Sequence, residues 1–256
     1  MGLEGRVALV SGGGRGVGAG ISQALARDGA DIAIIYTRFS DVAEETAKQI
    51  RDLGRRCEVY QGDVADEEQD RAVVEAVAAK FGRIDILVNN AGIASRGRSV
   101  ADTDPAEMRR VVSVHAFGSF YLSQAALPHL RKAAAAHGRA DVIFISSVAT
   151  ESYGANGSPY NMGKAAMEAL CFTLAKEERA NGIHVNVVAP GLVETEMGRR
   201  LVRATQGVEN IKDIYATSPF GRVCQPEDIG NTVAFLCSER ASYITNQIIY
   251  VHGGGF

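Results

Sequence analysis

The chain has 256 residues, 46% apolar and 22% charged, with 28 glycines and only 6 prolines, a composition that excludes a disordered or fibrous protein. Its 27 basic and 30 acidic residues leave a net charge of −3 and form no long basic run, so nucleic acid is not an expected partner. No stretch reaches the ~18 uninterrupted apolar residues of a membrane span, and no signal-peptide core opens the chain, which predicts a cytoplasmic protein with no membrane partner.

Short runs rich in Val and Ile alternate with segments of helical period. In chain order the pattern predicts a strand over 7–10, a helix over 17–28, a strand over 31–36 and a helix over 41–53. There follow a strand over 57–61, a helix over 67–80, a strand over 84–88, a long helix over 105–130 and a strand over 141–146. A second long helix over 159–180, a strand over 184–188, a helix over 226–236 and a strand over 247–251 complete the series. Strict alternation predicts a parallel sheet with helices on both faces, joined by right-handed crossovers. An α/β chain of this length fills one domain, here 1–256, and no linker, repeat or low-complexity tract divides it.

The two long helices carry apolar residues around most of their circumference, among them Val111, Val114, Phe117, Phe120 and Tyr121 in the first and Met167, Leu170 and Phe172 in the second. A helix lying on a sheet needs one apolar stripe, so the second face predicts a homo-oligomer; long loops covering these helices within one subunit are the alternative. Cys57, Cys171, Cys224 and Cys237 show no C-x-x-C spacing, so reduced thiols are expected, with neither a disulfide framework nor a metal site.

The first strand runs into Ser11-Gly12-Gly13-Gly14-Arg15-Gly16-Val17-Gly18, and a helix opens at once. Glycines let the backbone turn sharply and approach a pyrophosphate, whose charge sits against free N–H groups at the helix N-terminus. About 20 positions on, where a chain that binds NAD presents Asp or Glu to a ribose hydroxyl, the second strand ends in Tyr36-Thr37-Arg38. Arg38, with Arg15 in the glycine turn, suits the 2′-phosphate of NADP(H) instead, and NAD(H) is the less favoured coenzyme.

Tyr160 and Lys164 stand at i and i+4 on a helix, so phenol and ammonium share a face. Just upstream, the fifth strand ends in Ser146-Ser147, at the carboxyl edge of the sheet where open α/β folds bind ligands. A free tyrosine has a pKa of about 10; a neighbouring Lys⁺ and a positive nicotinamide ring are expected to lower it. Tyr160 then exchanges a proton with a substrate oxygen to which Ser147 donates, while the cofactor carries the hydride.

From about Gly5 to Gly254 the chain resembles the short-chain dehydrogenase/reductase family, including its 3-oxoacyl-acyl-carrier-protein reductases. Gly12, Gly16 and Gly18 match its T-G-x-x-x-G-x-G pattern with Ser11 in place of Thr, and Asn89-Asn90-Ala91-Gly92 matches its N-N-A-G segment. Asp63-Val64 resembles the pair that flanks adenine, and Pro190-Gly191-Leu192-Val193-Glu194-Thr195 the loop that grips the nicotinamide carboxamide. Ser147, Tyr160 and Lys164 fall on the family's catalytic serine, tyrosine and lysine. The resemblance implies a doubly wound Rossmann domain with a seven-stranded parallel sheet, assembled as dimers or tetramers through the two long helices, with Lys164 also on the nicotinamide ribose.

The sequence departs from the family where an asparagine of the proton relay usually stands: the aligned stretch reads Val111-Val112-Ser113-Val114-His115. His115 either replaces the relay residue, since imidazole can pass protons near neutrality, or is a buried structural histidine. A second departure places Asn246 where the family usually has Gly; Asn tolerates left-handed backbone angles. The segment over about 191–225 exceeds an ordinary strand-to-helix connection and is expected to form a substrate lid. Leu192, Met197, Leu201, Val202, Ile214, Tyr215 and Phe220 are its candidate pocket wall, and Arg199, Arg200 and Arg203 its candidate anion contacts or a solvated helix face. The expected activity is NADPH-dependent reduction of a small-molecule ketone. The same site run in reverse on a secondary alcohol or sugar, and a non-catalytic dinucleotide sensor, are the alternatives.

Overall fold

The structure, a computed structural model, describes residues 2–254. Met1, Gly255 and Phe256, the ends of the expected 1–256 domain, lie outside the described residues. The first half of the fold runs β1 (Val7–Ser11), α1 (Gly16–Arg27), β2 (Asp31–Tyr36), α2 (Ser40–Asp52), β3 (Cys57–Gln61), α3 (Glu67–Phe81) and β4 (Ile86–Asn89). It continues with α4 (Pro105–Val112), α5 (Gly118–His137), β5 (Ala140–Ile145), a short α6 (Ala149–Ser152), α7 (Ser158–Glu178) and β6 (Ile183–Pro190). Last come α8 (Glu196–Gln206), α9 (Pro226–Leu236) and β7 (Ile248–Val251).

The seven strands form one sheet in the order β3-β2-β1-β4-β5-β6-β7, every pair parallel. Parallel strands covered on both sides carry continuous apolar runs, and β1, β5 and most of β6 are buried along their whole length. Alternate residues then serve opposite cores. Ala8, Val10, Ile143 and Ile145 pack with Ile21 and Leu25 of α1, Ile50 of α2 and Val233 of α9. Val7, Leu9, Val142 and Phe144 pack with Val77 of α3, Leu130 of α5 and Met167 and Leu174 of α7.

The amino edge of the sheet is tied by buried charge. Asp141 receives Arg6 Nη2 at 2.6 Å and Arg139 Nη2 at 2.8 Å, while the same guanidiniums donate to the carbonyls of Leu236, Cys237 and Ser238 at 2.6–2.8 Å, where α9 ends. Cations at a helix C-terminus meet orphan carbonyls and the negative end of its dipole, so one buried network closes both structures.

Two sequence expectations are corrected. The long helix expected over 105–130 is broken by a π-helical turn, Ser113–Phe117, and runs on to His137. Gly118 N–H bonds back to the Ser113 carbonyl, and the Ser119 hydroxyl donates to the His115 carbonyl at 2.6 Å, so these two backbone carbonyls of the widened turn are paired. The apolar circumference of the long helices is only partly open: Phe117, Phe120 and Met162 are exposed, whereas Val111, Leu122 and Met167 are core. Asn246 adopts φ 61°, the left-handed conformation expected of it. Among the described residues no helix is long and apolar enough to cross a membrane, and no His, Cys, Asp or Glu cluster has the arrangement of a metal site.

Asp70 of α3 is 1% exposed and neither of its carboxyl oxygens has a hydrogen-bond partner. Burial, with the charges of Asp63 and Asp66, pushes its carboxyl up to about 8. Below pH ~4 native and unfolded chains both hold this proton; between there and about 8 only the native chain does, so rising pH erodes stability across that window by up to about 1.4 kcal/mol per pH unit. Asp70→Asn should therefore stabilise the protein at pH 8 and by much less at pH 4, measured as urea midpoints across pH; a gain independent of pH would contradict this.

Candidate active site

The glycine turn between β1 and α1 folds back tightly on itself. Gly12 and Gly16 have φ of 63° and 53°, and a Cβ on Gly18 would lie 2.1 Å from the Gly12 carbonyl oxygen, so no other residue fits there. Arg15 caps α1 without a side-chain hydrogen bond, which leaves the first-turn N–H groups, those of Gly16, Val17 and Gly18, free of side-chain acceptors. That is the arrangement a pyrophosphate requires. The turn is braced from β4: Ser11 Oγ accepts from the N–H groups of Asn90 and Ala91 at 3.0 Å, and Asn90 Nδ2 donates to the Ser11 carbonyl at 2.8 Å.

Beyond the end of β2, Thr37 donates its hydroxyl to the Gly62 carbonyl at 3.0 Å, and Arg38 and Arg15 are exposed, Arg15 lying 5.0 Å over the Phe39 ring. Asp63 accepts from Ala65 N–H at 3.1 Å, and buried Val64 packs where Gly118 leaves room for it. On the opposite side, the loop from Pro190 returns over α1. Gly191 packs on His252, Val193 is buried in a bridge with Cys224, and Thr195 caps α8 through Gly198 N–H at 3.1 Å with its methyl group toward Gly16. These residues line one continuous edge between β2 and β6, the edge at which the strand order reverses direction.

At the centre of that edge the structure brings together Ser147, Tyr160, Lys164 and His115. Ser147 follows β5 with its hydroxyl accepting from Ala149 N–H at 3.2 Å, and it bonds the Tyr160 phenol. Lys164 is 3% exposed; its ammonium donates to the Ile145 carbonyl at 2.6 Å and lies 5.8 Å from the centre of the Tyr160 ring. His115 is 0% exposed and meets Tyr160 edge to face, ring centres 5.2 Å apart. Its Nε2 faces both the N–H and the carbonyl of Ile93, at 3.0 and 2.9 Å, so it clamps the backbone just after Gly92, whose Cα side faces both His115 and Lys164.

Burial dominates the electrostatics of all three titratable groups. It lowers Lys164 to about 7, against the opposing charge of Glu168. It lowers His115 to about 3, helped by the Lys164 charge. It raises the Tyr160 phenol above its ordinary value, the hydrogen bond with Ser147 offsetting only part of this. The sequence expectation joins Lys164 to a positive nicotinamide ring in lowering the phenol; within the protein itself desolvation is the larger effect.

Sequence reasoning missed three participants. Glu168, one turn beyond Lys164, accepts from the hydroxyls of Ser146 and Thr150; its i+4 spacing from Lys164 was the available signal. Ile93, whose backbone holds His115, left none. Gly163 makes room for the imidazole, since a Cβ there would lie 2.9 Å from His115 Cβ. The segment between Pro190 and Pro226 divides the expected pocket wall. Val202 joins Ile211 and Val223 in a small core of the segment's own, with Leu192, Ile214 and Tyr215 against it, while Met197, Leu201 and Phe220 stay exposed. Arg200 and Arg203 pair with Glu196 and Glu209 on the solvent side of α8 at 2.8 and 2.6 Å.

The chain is similar to known proteins along nearly its whole length. A family model described as enoyl-(acyl carrier protein) reductase matches residues 12–255. An uncharacterized oxidoreductase of Methylorubrum extorquens is 36% identical over 252 residues, 98% of each chain. The crystal structure of 3-ketoacyl-(acyl-carrier-protein) reductase from Brucella melitensis, complexed with NADH, matches with a TM-score of 0.87 at 31% identity over 98% of both chains. A short chain dehydrogenase from Burkholderia cenocepacia in complex with NADP matches with a TM-score of 0.87 at 33% identity, again over 98% of both.

The fit between Gly163 and His115 is open to a direct check. A helical Gly→Ala change ordinarily gains up to about 1 kcal/mol, but Gly163→Ala should cost roughly 1–3 kcal/mol here because the buried imidazole has nowhere to go. In a His115→Gly background, which removes the facing Cβ as well as the ring, the same change should be neutral or stabilising. Thermal unfolding of the two single variants and the double variant measures the coupling, and simple additivity would refute it.

Proposed function

The chain belongs to the short-chain dehydrogenase/reductase family, and from that premise we propose that this oxidoreductase is an NADPH-dependent carbonyl reductase, turning a small-molecule ketone into a secondary alcohol. The observation that carries the direction is the Tyr160 phenol, which burial holds in its protonated form. Reduction needs a proton donor at the carbonyl oxygen as negative charge develops there; oxidation needs a base. A neutral phenol suits the first.

The residues present fit a nicotinamide dinucleotide, which when bound supplies the hydride. The glycine turn, with Gly12, Gly16, Val17 and Gly18, would hold the pyrophosphate. Asp63 and Val64 would flank the adenine, Asn90, Ala91 and Gly92 would lie under the nicotinamide half, and Pro190, Gly191, Val193 and Thr195 would grip its carboxamide. Arg15, Thr37 and Arg38, exposed in the glycine turn and past the end of β2, would meet the adenosine 2′-oxygen, and two guanidiniums without an acidic residue there favour a phosphate. Ser147 donates to the substrate oxygen, Tyr160 delivers the proton, and the Lys164 ammonium stabilises the phenolate left behind while also holding the nicotinamide ribose.

His115 stands where proton transfer through a charged imidazole is blocked, because it stays neutral throughout the physiological range. Its role in this reading is to fix Tyr160 and the Ile93 backbone. The segment over 191–225, built around its own small core, acts as the substrate lid. Exposed Phe117, Phe120 and Met162 support assembly into a homo-oligomer through α5 and α7.

Tyr160→Phe should lower carbonyl reduction by about 10²–10⁴-fold while leaving NADPH affinity, followed by coenzyme fluorescence, within a few fold; full turnover in this variant would refute the mechanism. Arg38→Asp should weaken NADPH binding by roughly tenfold or more and spare NADH, as one charge-assisted contact becomes a repulsion; equal affinities in parent and variant would overturn the coenzyme assignment. A parent that binds NADPH and reduces no member of a ketone panel would favour the sensor reading.

A further inference from the structure

Glu168 sits on the buried side of α7, 9% exposed, a single turn past Lys164. A carboxylate so far from water is costly unless its oxygens are paired. Its Oε1 accepts from the Ser146 hydroxyl and from Thr150 Oγ1, the latter at 2.7 Å. Those two residues bracket Ser147: Ser146 donates its N–H to the Val188 carbonyl of β6 at 2.9 Å, and Thr150 Oγ1 also lies 2.8 Å from the Ser147 carbonyl. One carboxylate thus touches both flanks of the residue that receives the substrate oxygen and stands beside the residue that carries the site's positive charge.

We propose that Glu168 is a positioning residue of the reductase site: it ties the Ser147 turn to α7 and supplies the negative charge that keeps the Lys164 ammonium protonated beside Tyr160. This rests on the catalytic reading above for its consequence in turnover, on hydrogen-bond geometry for the tether, and on the one-turn spacing of Glu168 from Lys164 on α7 for the charge.

The surroundings leave this task to Glu168. Lys164 is flanked by Tyr160 on its own helix, by His115 on the π turn and by the Ile145 carbonyl from β5. Glu168 faces Ser146 and Thr150, and its charge is also felt by Cys171 on α7 and by Tyr250 of β7, which Glu151 and Tyr153 influence too. Burial draws Lys164 down to about 7, and the charge of Glu168 opposes it. Were that charge lost, the ammonium would be neutral over much of the working range, and the phenolate formed by proton transfer would lose its counterion.

Glu168→Gln keeps an oxygen for both hydroxyls and deletes the charge. In protein carrying ¹³C at lysine Cε, with Lys164→Arg used to assign the signal, Lys164 should titrate near 7 in the parent and about one pH unit lower in the variant. An unchanged midpoint overturns the proposal whether or not any substrate is known. The pH at which reductive kcat/KM declines should fall by a similar amount; a moved lysine midpoint with an unmoved profile in an active enzyme overturns the link to turnover. If the midpoint moves and neither protein reduces a ketone, the charge role stands and the catalytic reading fails. Thr150→Val loosens the tether without touching the charge. It should leave the lysine midpoint within a few tenths of a unit and lower kcat by roughly tenfold through misplacement of Ser147; parental kcat in this variant overturns the tether.

Discussion

A parallel sheet buried on both faces has room for polar side chains only where its strands stop, and that constraint places nearly all the chemistry of this protein. Along β1, β4 and β5 the side chains are apolar and shared between two cores. Ser11, Asn89 and Ser146 stand where these strands end, each with a partner from a neighbouring element: the Val88 carbonyl, the Ser123 hydroxyl and Glu168. At the opposite ends Asp85, Asp141, Arg6, Arg83 and Arg139 form the buried ionic network that anchors α9. Polar groups thus collect at both edges, and what separates them is pairing. At the amino edge Asp85 and Asp141 are met by guanidiniums, while the carboxyl edge gathers first-turn N–H groups without side-chain acceptors, a phenol and a buried ammonium.

Desolvation gives the carboxyl edge its character. A low-dielectric site disfavours whichever form of a group is charged, so one cause pushes the phenol up and the ammonium and imidazole down. Three groups that would ordinarily differ in charge are drawn toward neutrality together. A protonated tyrosine beside a lysine near its own titration point can release a proton and be compensated at once, as general acid–base transfer at an oxygen requires. The buried imidazole serves geometry here: its edge packs on the tyrosine and its Nε2 holds the backbone at Ile93.

The π turn belongs to the same arrangement. His115 lies at its middle, and the hydrogen bond from Ser119 pairs the His115 carbonyl while the imidazole reaches between Gly92 and Gly163. Both glycines border the ring, one from the loop after β4 and one from α7. A larger ring on the π turn and missing side chains on the two facing elements are therefore parts of a single packing solution.

What the sequence alone determined were features governed by short-range repetition. The two-residue and 3.6-residue periods separate strands from helices, alternation of the two implies a parallel sheet, and the glycine turn, the Tyr160/Lys164 pair and the left-handed angle at Asn246 follow from local backbone chemistry. Helix 226–236 even has the expected limits. Only the tertiary structure decided what depends on distant contacts. An inserted π turn leaves the apolar pattern almost unchanged, so a single helix was expected where two flank His115. The direction of the Tyr160 shift depends on how deeply neighbouring elements bury it, and Glu168 acquires its role only because β5 and α7 pack with Ser146 and Thr150 against it. Spacing along a chain says which side chains share a face of one element; which face of another element they meet, and how much water remains between, is settled by packing.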